Sequence, residues 1–247
     1  MEFKNRCAVC DSKYTIPIKS VKGDLLNLRR SAYFCLSCHS LYRRSSYKID
    51  DTGFSNDVTN WHVPLLDSNV IRCQTILKDL LTIHPKAKNL LDIGAGIGEM
   101  IIASKDFNLD STGVECNPYA VKYAKDKYNI RLDCAFFNKD LYQKKFDIIT
   151  CIHVMEHLDD PRTFFNETLT CLNTNGILYI SVPLNEYARK WKELFRKKSF
   201  LSSDGHKIHF SSKGLLVLAK QFNAKQSFNL LRPEWGDWSG GFAFKFD

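Results

Sequence analysis

The chain lacks long apolar runs. Nowhere do its apolar residues continue for the ~18–20 positions that a membrane-crossing helix needs, so no helical span is expected. Its opening residues, Met1-Glu2-Phe3-Lys4-Asn5-Arg6-Cys7, carry no apolar core of the secretory-leader kind, and export is not expected. Internal repeats and low-complexity tracts are also missing, which excludes a solenoid array.

What remains is a globular composition. Of 247 residues, 44% are hydrophobic and 25% charged, enough for one sizeable domain and a small appendage. The formal charge is +8 and the pI is near 8.9. Two readings of that charge stand side by side: a basic surface that aids solubility, or an anionic partner such as a phosphorylated sugar, a nucleotide or RNA. The densest basic run, from Arg189-Lys190-Trp191-Lys192 to Arg196-Lys197-Lys198, is interleaved with Leu194 and Phe195. That spacing predicts an amphipathic helix with a solvated cationic face.

Along the chain, residues 1–48 hold paired cysteines and short β-prone pieces such as Tyr14-Thr15-Ile16-Pro17-Ile18. Residues 49–60 are polar and turn-rich, and a linker is assigned to 49–67. From Ser68 to Leu81 apolar residues recur at helical spacing. Strands are then expected at Asn89–Ile93, Ser111–Glu115, Ile130–Cys134, Phe146–Cys151 and Gly176–Val182, with two more near Ala224–Asn229 and Gly241–Phe246. Helices are expected at Glu99–Asp106, Pro118–Tyr128, Asp160–Cys171 and Ser211–Gln221. Strands separated by helical runs mean βαβ units, so residues 68–247 are expected to form one α/β domain with a parallel sheet and helices on both faces.

Nine cysteines fall into two groups. Cys73, Cys116, Cys134, Cys151 and Cys171 are isolated, whereas Cys7-Ala8-Val9-Cys10 and Cys35-Leu36-Ser37-Cys38 form two C-x-x-C knuckles with 24 residues between them. A reducing compartment with one metal site explains both groups, so a cytoplasmic location is expected. Two knuckles supply four thiolates in tetrahedral reach, the geometry and ligand softness that suit Zn²⁺. With Cys7, Cys10, Cys35 and Cys38 all bound, no position stays open for substrate, so the zinc is expected to be structural. Capping the active site, recognising substrate and tying down the N-terminus all remain open as roles for this small zinc ribbon.

Asn89-Leu90-Leu91-Asp92-Ile93-Gly94-Ala95-Gly96-Ile97-Gly98-Glu99 runs from an apolar strand through a glycine turn into a helix. Glycines let the backbone turn sharply and let a ligand approach where a Cβ would clash. Glu115, 21 residues beyond Gly94, closes the second strand, and a carboxylate there accepts hydrogen bonds from ribose hydroxyls. Cys116 follows it, and Asn117-Pro118 opens the next helix.

These stretches resemble the class I S-adenosylmethionine-dependent methyltransferases over residues 68–247. Asp92, Gly94, Ala95, Gly96 and Gly98 match the family's first motif, and Glu115 its ribose-binding acid. Cys134-Ala135-Phe136 falls where the third strand lines the adenine; Phe136 is read either as stacking on that base or as a core aromatic. Phe146–Cys151 matches the fourth strand and Gly176–Pro183 the fifth. The resemblance implies a Rossmann-like seven-stranded sheet whose last strand is antiparallel, and S-adenosylmethionine as cofactor. Cys116, Phe136, Cys151 and His153 join the glycine turn as expected cofactor contacts.

On the acceptor side, His153-Val154-Met155-Glu156-His157-Leu158-Asp159-Asp160-Pro161 follows the fourth strand, at the sheet edge where α/β proteins bind ligands. It resembles the H-x-x-E-H-L-x-D-P of small-molecule and glycan methyltransferases. It is also similar to the E-x-x-E-H of ubiquinone-pathway O-methyltransferases, where those side chains bind Mg²⁺. His153 replaces a carboxylate of that pattern. One carboxylate and two imidazoles suit hard Mg²⁺ poorly, so no metal is expected there. Glu156 and His157 are read as catalytic or as anchors of the turn. His206 and His209, in an H-x-x-H-F-[ST] stretch before a helix that Ser211 can cap, are read as general bases or as exposed loop residues.

The [DN]-P-P-[YF] of amino-directed nucleic-acid enzymes is absent after the fourth strand, and Ser181-Val182-Pro183-Leu184 offers no cysteine nucleophile for pyrimidine carbon methylation. The reading is therefore O-methylation of a small molecule, such as a sugar or surface-glycan precursor. An RNA methyltransferase with a zinc-binding recognition module is the alternative, and nucleic acid the alternative partner.

Overall fold

A computed structural model of the chain describes residues 6–18, 32–43, 62–185, 206–230 and 239–247. The linker residues 49–61 and the basic run Arg189–Lys198 lie outside them.

Among the described residues two sheets form. The smaller is antiparallel, in the order β1 (Thr15–Ile18), β2 (Ala32–Cys35), β3 (Leu41–Arg43), β9 (Ile208–His209). The larger has seven strands, as the resemblance implied, in the order β10 (Gln226–Asn229), β11 (Ser239–Lys245), β8 (Leu172–Pro183), β7 (Phe146–Ile152), β4 (Asn89–Ile93), β5 (Asp110–Glu115), β6 (Asp133–Cys134). By contacts the chain divides into two compact units. One comprises Met1–Tyr47, His153–Phe165 and Ser181–Phe242; the other comprises Lys48–Ile152, Asn166–Ile180 and Ala243–Asp247.

In the second of these units β4 pairs in parallel with β5 on one side and β7 on the other. Strand order therefore reverses at the end of β4, the switch point where open α/β sheets bind ligands. β4 is a central strand buried along most of its length, so apolar Leu90, Leu91 and Ile93 fill positions on both of its faces. Leu90, Leu91 and Ile93 are buried there, as are Phe146, Ile148 and Ile149 of β7. Truncating one of these leucines to alanine removes about 2–5 kcal/mol of stability. Helix α1 (Leu66–Ile83) buries Cys73, Ile76, Leu77 and Leu80, a single stripe at helical spacing. Helix α2 (Glu99–Ser104) ends earlier than expected, passing into a 3-10 turn at Lys105–Phe107. Helix α3 (Pro118–Tyr128) begins with Pro118 after the N-cap Asn117, whose side chain accepts from Tyr119 N at 3.0 Å. Strand β6 is shorter than the expected Ile130–Cys134. Ile130 and Leu132 are buried instead in a cluster with Ala95, Ile101 and Ala124, before pairing begins.

In the other unit the cysteine-bearing hairpins take their last strand from far along the chain: Leu41 pairs with His209 and Tyr42 with Ile208. Helices α4 (Pro161–Thr170) and α5 (Ser212–Gln221) begin at Asp160 and Ser211 respectively. Asp160 accepts from Arg162 N and Thr163 N, and Ser211 Oγ from Gly214 N at 2.8 Å. Ser211 is thus the N-cap that the sequence predicts. Three side chains of this unit grip the knuckle backbone. Arg162 donates to Val9 O at 3.2 Å, Gln221 to Cys10 O at 2.9 Å, and the Ser211 hydroxyl to Cys38 O. Gly214 is required here because a Cβ would collide with Ser40 Oγ.

Candidate functional site

The turn after β4 is built by glycine geometry. Gly94, Gly96 and Gly98 all have positive φ, at 76°, 55° and 93°, a region that L side chains adopt only with strain. Gly94 N and Ala95 N both donate to Val114 O, at 2.9 and 3.1 Å, which seats the turn on β5. At the end of β5, Glu115 spreads its carboxylate between two backbone donors. Oε2 accepts from Gly96 N at 2.9 Å, and Oε1 from Asn117 N at 2.8 Å. The acid expected to hold a ribose is therefore fixed beside the glycine turn. Cys116 donates its thiol to Glu115 Oε1 at 3.6 Å. Burial, with the Glu115 carboxylate beside it, pushes that thiol up to about 12, so it stays neutral.

Asp92 serves the turn from below. Register places it opposite Thr150, whose hydroxyl donates to Asp92 Oδ1 at 2.6 Å. Burial raises the Asp92 carboxyl to about 7 against the opposing pull of that hydrogen bond. Cys151, also expected at the cofactor, is fully buried in β7. Phe136 is 54% exposed, which rules out the core-aromatic reading.

Two residues here were not anticipated from the sequence. Glu99, the first residue of α2, accepts from Ile97 N at 3.2 Å and pairs with His62 Nδ1 at 2.9 Å. The Glu99 hydrogen bond raises the His62 pKa, overcoming the opposing effect of burial. The ring lies over the turn so closely that a Cβ on Gly96 would come within 3.0 Å of His62 Cε1. Glu99 was legible as an acid opening a helix; His62 sits at the edge of a polar stretch with no pattern to mark it.

In the cysteine unit, Cys7, Cys10, Cys35 and Cys38 are all buried, with their sulfurs mutually within 4.8 Å. Cys7 Sγ lies 3.7 Å from Cys38 Sγ, and Cys10 Sγ 3.6 Å from Cys35 Sγ. Those separations are too long for a disulfide, whose bond is about 2.05 Å. They fit the ~3.8 Å edge of a tetrahedron with ~2.3 Å metal–sulfur bonds. Val9 N and Cys38 N point at Cys7 Sγ and Cys35 Sγ, at 3.4 and 3.5 Å, so each knuckle also offers amide donors to a thiolate. Hydrogen bonding to Cys10 pushes the Cys38 thiol up to about 12 and Cys7 up as well, while Cys10 is pulled down to about 2. The four buried sulfurs thus form a set that could hold a metal ion.

The same unit brings the acceptor-side residues together. His153 has φ 56°, left-handed backbone that is uncommon outside glycine and recurs at functional turns. Its amide donates to Ser181 O at 2.8 Å. Its Nδ1 pairs with Glu156 Oε1 at 3.1 Å. Glu156 is 1% exposed, and its Oε2 has no hydrogen-bond partner among the described residues. Lys207 N donates to Glu156 O at 2.7 Å, tying the β9 segment to the 3-10 turn Met155–His157. Glu156, His157 and His206 thereby offer ligand atoms mutually within 4.8 Å, with the His157 and His206 rings edge-on at 4.9 Å. Burial lowers the His206 pKa, Glu156 acting in the opposite sense. His209 lies in β9 and is buried, not exposed on a loop, and burial takes its pKa down to about 3. The Mg²⁺ ligation of the E-x-x-E-H pattern does not fit this arrangement. The cluster is one carboxylate with two imidazoles, and His153 is turned toward Glu156 instead of joining it.

Comparison with known proteins agrees with the fold. The family profile of the methyltransferase domain matches residues 68–225. A ubiquinone biosynthesis O-methyltransferase of Histophilus somni is 28% identical over 116 residues, covering 42% of this chain and 48% of that protein. The chain thus spans about half the length of that relative. One of Pelagibacter ubique is 28% identical over 205 residues, covering 70% of this chain and 82% of that protein. Among solved structures, the plantazolicin methyltransferase BpumL in complex with SAH aligns with a TM-score of 0.57 at 16% identity, over 81% of this chain and 91% of that one. The chain belongs to the methyltransferase-domain family.

Proposed function

We propose, on the premise of that family membership, that the chain transfers the methyl group of S-adenosylmethionine to a hydroxyl of a small polar acceptor, a sugar or surface-glycan precursor. The observation that carries the reading is Glu115, held at 2.9 Å from the amide of Gly96 at the sheet's switch point. There a ribose can be received by a carboxylate already in place. Asp92, Gly94, Ala95, Gly96, Gly98 and Cys116 complete the cofactor bed, with exposed Phe136 available to the adenine.

Methyl transfer is an in-line displacement. An acceptor oxygen lone pair forms the new C–O bond, the C–S bond breaks with its electrons going to sulfur, S-adenosylhomocysteine leaves, and the hydroxyl proton must be taken up. Alignment supplies much of the rate, and the proton falls to Glu156, His157 and His206. His209, neutral and weakly basic, is assigned to holding β9 instead. Support for a hydroxyl acceptor comes from this polar, imidazole-lined cluster and from the resemblance to ubiquinone biosynthesis O-methyltransferases. The four cysteines are assigned a structural Zn²⁺, and their need for reduced thiols supports a cytoplasmic location.

The test is a transfer assay with radiolabelled S-adenosylmethionine against nucleotide-linked deoxysugars, catechol-type quinone precursors and structured RNA. Methylation of a sugar hydroxyl is expected. Methylation of RNA, with binding that falls steeply with salt, would replace this reading with the nucleic-acid one.

A further inference from the structure

We infer that Glu156, His157 and His206 form a second metal site, one that takes a first-row divalent transition ion and rejects Mg²⁺. The inference deepens the proposed acceptor chemistry and rests on that reading for its role, though not for its existence. Three observations carry it.

First, the donors converge from two distant stretches of one unit, with all ligand atoms mutually within 4.8 Å. The convergence is held by backbone: Lys207 N donates to Glu156 O at 2.7 Å, and β9 is hydrogen-bonded into the cysteine sheet. Second, Glu156 is almost wholly buried and its Oε2 has no hydrogen-bond partner among the described residues. A buried carboxylate oxygen without a donor is destabilising, and a cation removes that penalty. Third, the donor set is two imidazoles and one carboxylate. That combination suits Zn²⁺, Fe²⁺ or Co²⁺ and leaves coordination positions open, whereas Mg²⁺ prefers an all-oxygen octahedron. His153, paired with Glu156 Oε1 at 3.1 Å, is the outer partner that orients the carboxylate. An ion held here offers Lewis-acid contact to an acceptor oxygen. With the ion bound, Glu156, His157 and His206 would act on the hydroxyl through it and not as free bases: the ion would lower the hydroxyl's pKa, and the proton would leave to solvent water.

The experiment uses the full chain with its four cysteines loaded with zinc, verified by metal analysis, and titrates Co²⁺ alone by calorimetry and visible absorption. One further equivalent of Co²⁺ is expected, with weak d–d bands and no thiolate charge-transfer band. An excess of Mg²⁺ should neither bind nor compete. His157→Asn and His206→Asn should each weaken Co²⁺ by at least roughly 100-fold. His206 is only half-buried, so that variant is expected to fold; thermal melting of each variant verifies it. No second equivalent, a sulfur charge-transfer band, competition by Mg²⁺, or undiminished Co²⁺ affinity in either folded variant overturns the inference. S-adenosylmethionine affinity, measured on the same samples, reports separately on the methyltransferase reading.

Discussion

Glu99 holds His62 directly over Gly96: its Oε1 lies 2.9 Å from His62 Nδ1, and a Cβ on the glycine below would crowd the ring at 3.0 Å from Cε1. Gly96 therefore has two reasons to be glycine, a φ of 55° and a ring overhead. Gly96→Ala is expected to weaken S-adenosylmethionine binding and to remove about 1–2 kcal/mol of stability. In a His62→Ala background the steric part disappears while the backbone part stays. A double-mutant cycle in thermal melts should thus show coupling of at least ~0.5 kcal/mol. Strict additivity would mean that the ring does not constrain the turn.

The cysteine cluster should support the acceptor turn more than the cofactor turn. Ser211 donates to Cys38 O, and Leu41 pairs with His209, so loss of the proposed Zn²⁺ should loosen the strand that carries His209. Chelation or Cys35→Ser is expected to raise hydrogen exchange in residues 32–43 and 206–211 together, with protection in 89–115 retained. Exchange rising in the cysteine hairpins alone would contradict this coupling.

Asp92 sets a pH dependence whose sign is fixed. Its carboxyl is raised from 3.8 to about 7, so between those values the folded chain holds a proton that the unfolded chain has released. This contribution to stability is complete below about pH 3.8 and is lost as pH rises through 7. Asp92→Asn keeps an oxygen for the Thr150 hydroxyl and removes the titration. Relative to wild type it should gain roughly 1–3 kcal/mol between pH 5 and 8, read from denaturant melts. A constant difference across that range would place the Asp92 titration elsewhere.

On the acceptor side, His157→Ala is expected to lower kcat by about 100-fold or more. Cofactor affinity should change less than about twofold, because the glycine turn and Glu115 do not involve this residue. Equal loss of cofactor binding and turnover would instead make His157 part of the cofactor bed.

How much of this was legible in the sequence follows from how local each signal is. The glycine turn, Glu115 and the C-x-x-C knuckles are defined by spacings within a few residues or one βαβ unit, and they stand where spacing placed them. The helix cap at Ser211 was equally local. Pairings set by tertiary packing had no such trace. His62 meets Glu99 across 37 residues, and β9 joins β3 from far along the chain with only two residues of strand. For the same reason nothing in the sequence showed that His209, read there as a general base or an exposed loop residue, is buried. Ile130 and Leu132 look like strand residues because a buried cluster selects the same apolar side chains.

Calorimetry of S-adenosylmethionine and S-adenosylhomocysteine against the full chain and its Glu115→Ala variant tests the central claim most directly. Both ligands should bind the wild type at one per chain, and the variant should bind each about 10- to 100-fold more weakly, some 1.4–2.7 kcal/mol. No binding by the wild type, or equal affinity in the variant, would contradict the assignment of the glycine turn and Glu115 to this cofactor.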